Sequence, residues 1–414
     1  MEPWNAVQWY ATAATKDVTP STFDDSSSNV VILPAQWDYT FTGDEEKLHE
    51  YRKRINQYER QTGTSEWEYF KKVVNPYELI YTQKKYDNFP DSICILHPLS
   101  RSYFKMIEML EVSEFYKLYG KATALRSAHV CEGPGGFIEG FLDRSEKHRV
   151  IKVTSTAITL RPRQPNVPGW KRAASFLQKH RNVRIEYGPD GTGNLLNPAN
   201  QQAFIDACTP KVHLFTADGG FDFSTDYDSQ EQTIFPLLLA STRVGFETLQ
   251  SGGFFIMKLF DIYHAGTKDL LYFLSTHFVS WTLYKPATSR PCNPELYFLG
   301  RRFTGCDADT TRAMRTWSTE SPRRLYTAPL PSAFLDRLHS IIGTSVRNQI
   351  LYLEKVFALL DAAPTERQAQ IKLMLQKHEV ISFQWCRAFS ALYYPERCRL
   401  IEALQTCLRA SGQL

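Results

Sequence analysis

The chain has 414 residues, 43% of them apolar and 22% charged, with a formal net charge of +4. That length holds one large domain with additions, or two domains, with ample core. The balance excludes a disordered or fibrous chain, and the small net charge does not by itself point to nucleic acid.

No apolar run approaches the roughly 20 residues needed to cross a bilayer. Met1 to Tyr10 lacks the basic start and apolar core of a signal peptide. A soluble, intracellular protein of nucleus or cytoplasm is therefore expected. The cysteines, Cys94, Cys131, Cys208, Cys292, Cys306, Cys386, Cys398 and Cys407, show neither C-x-x-C pairs nor zinc-type spacing with His. Reduced, largely buried thiols are expected, and no metal site.

In chain order, residues 1 to about 44 read as an irregular arm, with a flexible patch at Ser26 to Asn29 and a strand-like Val30 to Leu33. Glu45 to Glu59 is rich in charge and reads as an exposed helix. Ala128 to Cys131 reads as a buried strand, Glu132 to Gly136 as a glycine turn, and Phe137 to Leu142 as the start of a helix. Val150 to Val153 and Val212 to Ala217 are further strand candidates. Gln230 to Leu249 is a helix with Phe235, Leu238, Leu239 and Thr242 on one face. Trp281 to Lys285 and Leu296 to Leu299 predict a terminal antiparallel hairpin.

After about residue 304 the pattern turns helical. Val346, Ile350, Leu353, Phe357 and Leu360 recur at spacings of three and four. Pro364 to Gln368 reads as a break and restart, with Thr365 and Gln368 in capping-box spacing. Phe383, Cys386 and Phe389 mark another helix, and Ile401, Leu404 and Leu408 the last. The division expected is an N-terminal extension over 1–90, a core domain over 91–303 and a C-terminal helical region over 304–414. The terminal stripes are packing surface first, and a docking face for a protein partner second.

Four segments of the core each place a charged side chain near a strand or helix end. Ser100 to Met106 holds Lys105, Phe215 to Gly220 holds Asp218, Gly252 to Phe260 holds Lys258, and Ser289 to Tyr297 holds Glu295. Charges at strand ends of an open α/β sheet gather at one edge, where such folds bind ligands. Read singly, each has a plainer role: Asp218 as a turn residue, Lys258 as an edge-strand lysine, Lys105 on a solvated helix face, Glu295 in an exposed hairpin.

Together these segments resemble the FtsJ-like ribose 2′-O-methyltransferases, most closely the branch specific for the messenger RNA cap. The resemblance spans roughly residues 95 to 303 and includes Gly133 to Phe137, Asp190 to Asn194, Ala217 to Gly220, Gly252 to Asp261 and Lys285 to Tyr297. It implies a Rossmann-like α/β fold, a seven-stranded mostly parallel sheet with helices on both faces, flanked by the N-terminal arm and the C-terminal helices. It implies S-adenosylmethionine as cofactor, held by Glu132, Gly133, Pro134, Gly135, Gly136, Phe137, Asn194 and Asp218. The catalytic tetrad implied is Lys105, Asp218, Lys258 and Glu295. Asn194 departs from the family, which usually has Asp there; its carbonyl oxygen still accepts a hydrogen bond, without charge.

The reaction implied is methyl transfer to a ribose 2′-hydroxyl of a cap-proximal nucleotide. A hydroxyl is a poor nucleophile near neutral pH, so a base must take its proton. Lys258 is the candidate, its pKa expected to fall through burial and the nearby Lys105. Asp218 and Glu295 would orient the amines, and Lys105 would stabilise the developing alkoxide. Capped RNA is the partner implied, with other capping or transcription proteins on the C-terminal helices. Candidate RNA contacts are Arg101, Arg161, Arg163, Lys171, Arg172, Ser289 and Arg290. Two wider basic clusters, Arg161 to Arg184 and Arg301 to Arg324, could follow a phosphate backbone or be solvated surface. Aromatics, 13% of the chain, could stack on bases. Ribosomal or transfer RNA as substrate, and an inactive RNA-binding scaffold, remain open as alternatives.

Overall fold

In a computed structural model, the chain is described at residues 4, 7–12, 43–62, 64–82, 89–119, 121–162, 169–220, 230–320, 324–326 and 328–413. The flexible patch and strand expected within 26–33 lie outside these, as does Arg163. The described chain forms two compact units: residues 1–40, 102–286 and 295–341, and residues 41–101, 287–294 and 342–414.

The first unit is built on one sheet. Its strands are β1 (Tyr10–Ala11), β2 (Ala124–Val130), β3 (Lys152–Ile158), β4 (Val183–Glu186), β5 (Val212–Ala217), β6 (Leu249–Leu259), β7 (Phe278–Tyr284) and β8 (Leu296–Phe303). They lie in the order β1-β7-β8-β6-β5-β2-β3-β4. Strands β2 to β6 pair in parallel, and β8 pairs antiparallel with both β6 and β7. The fold is the expected Rossmann-like methyltransferase architecture, with one correction. Among the described residues the sheet has eight strands rather than seven, because Tyr10–Ala11 adds antiparallel to β7. The second-strand candidate also shifts: β3 begins at Lys152, and Ile151 is exposed.

Strand β6 shows why the sheet is covered on both faces. Phe254 and Ile256 point to one side and Phe255, Met257 and Leu259 to the other, and all are buried. The first face packs against Met106, Met109 and Leu110 of the helix Ser102–Val112 and against Phe137 and Phe141 of the helix Gly136–Lys147. On the second face Phe255 meets Phe215, Phe278 and Phe246 of the helix Gln230–Thr248. Chain order reverses direction between β2 and β5, so the turns leaving these strands border a switch-point crevice.

The second unit is helical. The helix Asp44–Thr62 is not the fully exposed element its charge suggests: Leu48 and Ile55 are buried, and Tyr51 packs edge-on against Phe357. Val346, Ile350, Leu353 and Phe357 of the helix Ser332–Asp361 are buried as the stripe predicts, with Leu360 half-buried. The next helix starts at Pro364, which occupies its first turn behind Ala363 as N-cap; Thr365 and Gln368 do not form the expected capping box. Proline is preorganised for that position, so no side-chain cap is needed to start the helix. No helix among the described residues is long and apolar enough to cross a membrane.

One buried network ties β2 to its neighbours. His129 Nδ1 lies 2.7 Å from Thr216 Oγ1, its Nε2 lies 2.8 Å from Ser127 Oγ, and Ser127 Oγ lies 2.8 Å from Ser155 Oγ. Burial holds the His129 pKa down to about 3. Its unfolded value is near 6.5, so the unfolded chain binds the extra proton between these limits and stability falls as pH drops below about 6.5. From near pH 7 to near pH 5 this one group should cost about 2 kcal/mol. Melting curves of wild type and His129→Gln across that range test it: the variant should lose about that much less on acidification, and parallel losses would contradict the assignment.

Candidate active site

Sheet register assembles the site. Ala217 of β5 lies opposite both Val130 of β2 and Met257 of β6, so the next residues, Cys131, Asp218 and Lys258, follow side by side at the carboxyl edge. Lys258 is in turn the direct cross-strand partner of Tyr297 on β8. It shares the face of Phe254 and Ile256, which the helix bearing Lys105 covers.

Two lysine–carboxylate pairs result. Lys258 Nζ lies 3.2 Å from Asp218 Oδ1, to which the Tyr297 hydroxyl donates at 2.8 Å. Lys105 Nζ lies 2.7 Å from Glu295 Oε1 and 2.8 Å from Oε2, with the Tyr297 ring centroid 5.9 Å away. Lys285 Nζ donates to the Glu295 main-chain carbonyl at 3.0 Å. The plainer roles do not describe these residues. Lys258 sits on an interior strand, and the Lys105 and Glu295 side chains are only 15% and 8% exposed.

The electrostatics follow from this crowding. Burial would raise the Glu295 pKa, but Lys105, Lys258 and Lys285 hold it at about 2. Burial pushes Lys258 down, yet Asp218, Glu295 and Glu132 outweigh it and the net shift is upward. The expected depression of Lys258 is therefore corrected: its carboxylate neighbours dominate burial. Burial, followed by the charges of Asp218 and Glu295, pushes Tyr297 well up, so it stays protonated and donates.

The glycine turn lies beside this cluster. Gly135 has φ +109° at the start of the helix Gly136–Lys147, a conformation that favours glycine. Glu132 is buried; its Oε1 accepts the Phe137 N–H at 2.6 Å, while Oε2 has no partner among the described residues. Burial and the charge of Asp218 push the Glu132 pKa well up. The second turn is organised by Asp190, which accepts from the Thr192 N–H and hydroxyl, Asn197 and Asn200. These bonds hold its pKa down. A Cβ at Gly193 would lie 2.0 Å from the Thr159 carbonyl oxygen, so the turn packs backbone to backbone against the segment after β3. Asn194 Oδ1 accepts the Leu196 N–H at 3.1 Å.

The other candidates fall elsewhere. In the second unit, Arg290 binds both oxygens of the buried Glu78, at 2.9 and 3.1 Å, and Arg101 lies 3.3 Å from the same carboxylate. Asn75 adds a bond of 2.7 Å, and the two arginines hold Glu78 at about 2 against its burial. Ser289 is buried, with Oγ 3.3 Å from Asn293 Oδ1. Arg161, Lys171 and Arg172 are exposed, and the Arg161 guanidinium lies 4.2 Å over the Tyr187 ring. In the second basic cluster, Arg315 pairs with Glu247 and Arg324 with the buried Asp269. Arg301 lies 3.4 Å over the Trp9 ring. The residues that sequence reasoning passed over are Tyr297, Lys285 and Glu78. Tyr297 had a signal, since it follows Glu295 by two along a strand and shares its face.

Residues 98–303 match the FtsJ-like methyltransferase family. The chain belongs to that family. The cofactor that goes with it is S-adenosylmethionine. The chain is similar to cap-specific mRNA (nucleoside-2′-O-)-methyltransferase 2 of Mus musculus, 27% identical over 60% of this chain and 33% of that protein. It is likewise similar to the enzyme of that name from Drosophila melanogaster, at 28% over 65% of this chain and 38% of that protein. Cap-specific mRNA (nucleoside-2′-O-)-methyltransferase 1 of Xenopus laevis is 36% identical over 44% of this chain and 21% of that protein. Each match spans well under half the relative's length.

Glu78 makes the stability of this cluster pH-dependent. Its folded pKa lies below the unfolded 4.5, so its contribution is present above pH 4.5 and is lost as pH falls toward 2. Glu78→Gln leaves Arg101 and Arg290 without their buried counter-charge and should cost about 3 kcal/mol near neutral pH. Denaturant melting would show this; unchanged stability would mean the three-residue cluster contributes nothing net.

Proposed function

We propose that this chain transfers a methyl group from S-adenosylmethionine to the ribose 2′-hydroxyl of a cap-proximal nucleotide of messenger RNA. The observation that carries the reading is the pair of lysine–carboxylate contacts gathered beside the glycine turn, in a member of a methyltransferase family. The names of the relatives favour a capped substrate.

The residues present fit the cofactor. Glu132 Oε2 is a buried polar atom lacking a partner among the described residues, and Gly135 opens a helix N-terminus beside it. Asn194 has a carbonyl oxygen with a second lone pair for an amine donor. Glu132 to Phe137, Asn194 and Asp218 would hold the group. Bound S-adenosylmethionine supplies a methyl group activated by a positively charged sulfur.

Lys258 Nζ is the group placed to take the hydroxyl proton. Asp218 fixes its position, and Tyr297 fixes Asp218 through the hydroxyl bond. The two carboxylates keep Lys258 charged, and an added positive charge close by would offset them and let Nζ act as a base. Lys105, held by Glu295, is placed to stabilise negative charge growing on the ribose oxygen. Ordering these four groups in advance reduces what must be arranged during reaction.

The test is methyl transfer from labelled S-adenosylmethionine to matched capped and uncapped RNAs, with digestion to locate the modified ribose. Capped RNA should be methylated at a 2′-hydroxyl, and Lys258→Ala should lower the rate by at least roughly 100-fold. Tyr297→Phe should retain cofactor binding and lose roughly tenfold in rate. Preferential transfer to uncapped structured RNA would overturn the substrate, and undiminished transfer by Lys258→Ala would overturn the assigned base.

A further inference from the structure

The amino-terminal ends of the parallel strands carry a feature the methyl-transfer reading does not use. A cavity of about 460 Å³ opens there, lined by residues of β2, β3 and β4 and by the turn after the helix Pro198–Ala207. Arg126, Lys152, Arg181 and Arg184 line it, with no carboxylate among the described lining residues. Lys152, Arg181 and Arg184 are exposed, and Arg126 is half-buried.

The register makes these cations an ordered row. Arg126 lies opposite Thr154, and Thr156 lies opposite Arg184. Residues 152, 154 and 156 share one face of β3, so Arg126, Lys152 and Arg184 all project from one face of three adjacent strands. Arg126 is braced: its Nε donates to the Lys211 carbonyl at 2.8 Å. The carboxylate paired with Arg184 is Glu186, and the Arg184 side chain is still 62% exposed.

Neighbouring strands are about 4.8 Å apart, so such a row suits a chain of phosphates better than a single small anion. The chain also supplies a route to it. The described end of the connection from β3 to β4, residues 169–182, leads to the amino end of β4, the last strand in the sheet order, and carries exposed Lys171, Arg172, Lys179 and Arg181. We infer that this groove is a second RNA contact, holding backbone phosphates of the substrate well downstream of the modified ribose. The inference rests on the RNA substrate proposed above. The groove lies about 20 Å from the carboxyl edge, the length of β2, and on the sheet face opposite Lys258. Only an RNA long enough to pass the edge strand reaches it.

The test compares wild type with Lys152→Gln/Arg181→Gln/Arg184→Gln, using capped RNAs of about 4 and about 25 nucleotides, lengths set by the 4–16-nucleotide sites of single-strand binders. The variant should raise KM for the long RNA roughly tenfold and reduce its log–log salt slope by about 2, from three lost phosphate contacts. KM for the short RNA, and kcat on both, should stay unchanged. An unchanged KM and salt slope for the long RNA would overturn the inference, as would equal weakening of both lengths. Binding of the 25-mer without cap or cofactor separates this result from the proposed activity. If wild type methylates nothing yet binds that RNA more tightly than the variant, the groove stands and the activity falls. If both bind alike, the groove falls. Arg181→Gln alone, at an exposed position, provides a second variant should the triple one fold poorly.

Discussion

Placing two ammonium groups and two carboxylates in one largely buried space is the constraint on which the rest of the site depends. An isolated buried charge is costly, and a buried pair is worth keeping only when geometry and extra hydrogen bonds offset desolvation. Here each lysine has its own acid, Lys258 with Asp218 and Lys105 with Glu295, and Tyr297 and Lys285 bind that acid's residue. Removing any one member leaves a charge facing the others. That is why the sheet register matters: a one-residue slip of β8 would turn Tyr297 away from Lys258 and Asp218.

The scaffold meets this demand with rigid parts. Three of the groups follow from neighbouring strands, and the fourth comes from a helix whose Met106, Met109 and Leu110 lock it onto the same sheet face. The apolar content of β6 on both faces leaves it no freedom to shift. Lys258 is then the one polar departure on a face that Phe254 and Ile256 make hydrophobic.

Much of this was legible in the sequence, for definite reasons. A lysine near the end of an apolar strand, an Asp before Gly-Gly at another strand end and a glycine turn between strand and helix are local signals with physical causes. What failed to show was non-local or too short. Tyr10–Ala11 has two residues and no measurable period, so the eighth strand was invisible. Arg101 and Arg290 meet Glu78, which lies 23 and 212 residues away, and no spacing rule links them. The Thr365–Gln368 box lost to Pro364, which starts the helix without a side-chain cap. The helix from Asp44 looked fully exposed because its charges outnumber the few apolar residues that it buries. Tyr297 was quoted only as the end of a matching segment, because an aromatic ring on a strand does not say which group its hydroxyl binds.

The expected depression of Lys258 failed for a more instructive reason. Burial acts in that direction, but sequence order cannot weigh it against three carboxyl groups closing in from β2, β5 and the start of β8. The balance favours the charged amine. In the proposed reaction Lys258 would be a base held in reserve, needing a further cation beside it before it gives up a proton. The most direct measurement is an NMR titration of Lys258 Nζ in isotopically labelled protein, alone and saturated with S-adenosylmethionine, with Asp218→Asn as reference. The account predicts a pKa above the usual lysine range in the protein alone, lowered by the cofactor and by Asp218→Asn. A Lys258 that titrates like a free lysine, unmoved by either change, would contradict it.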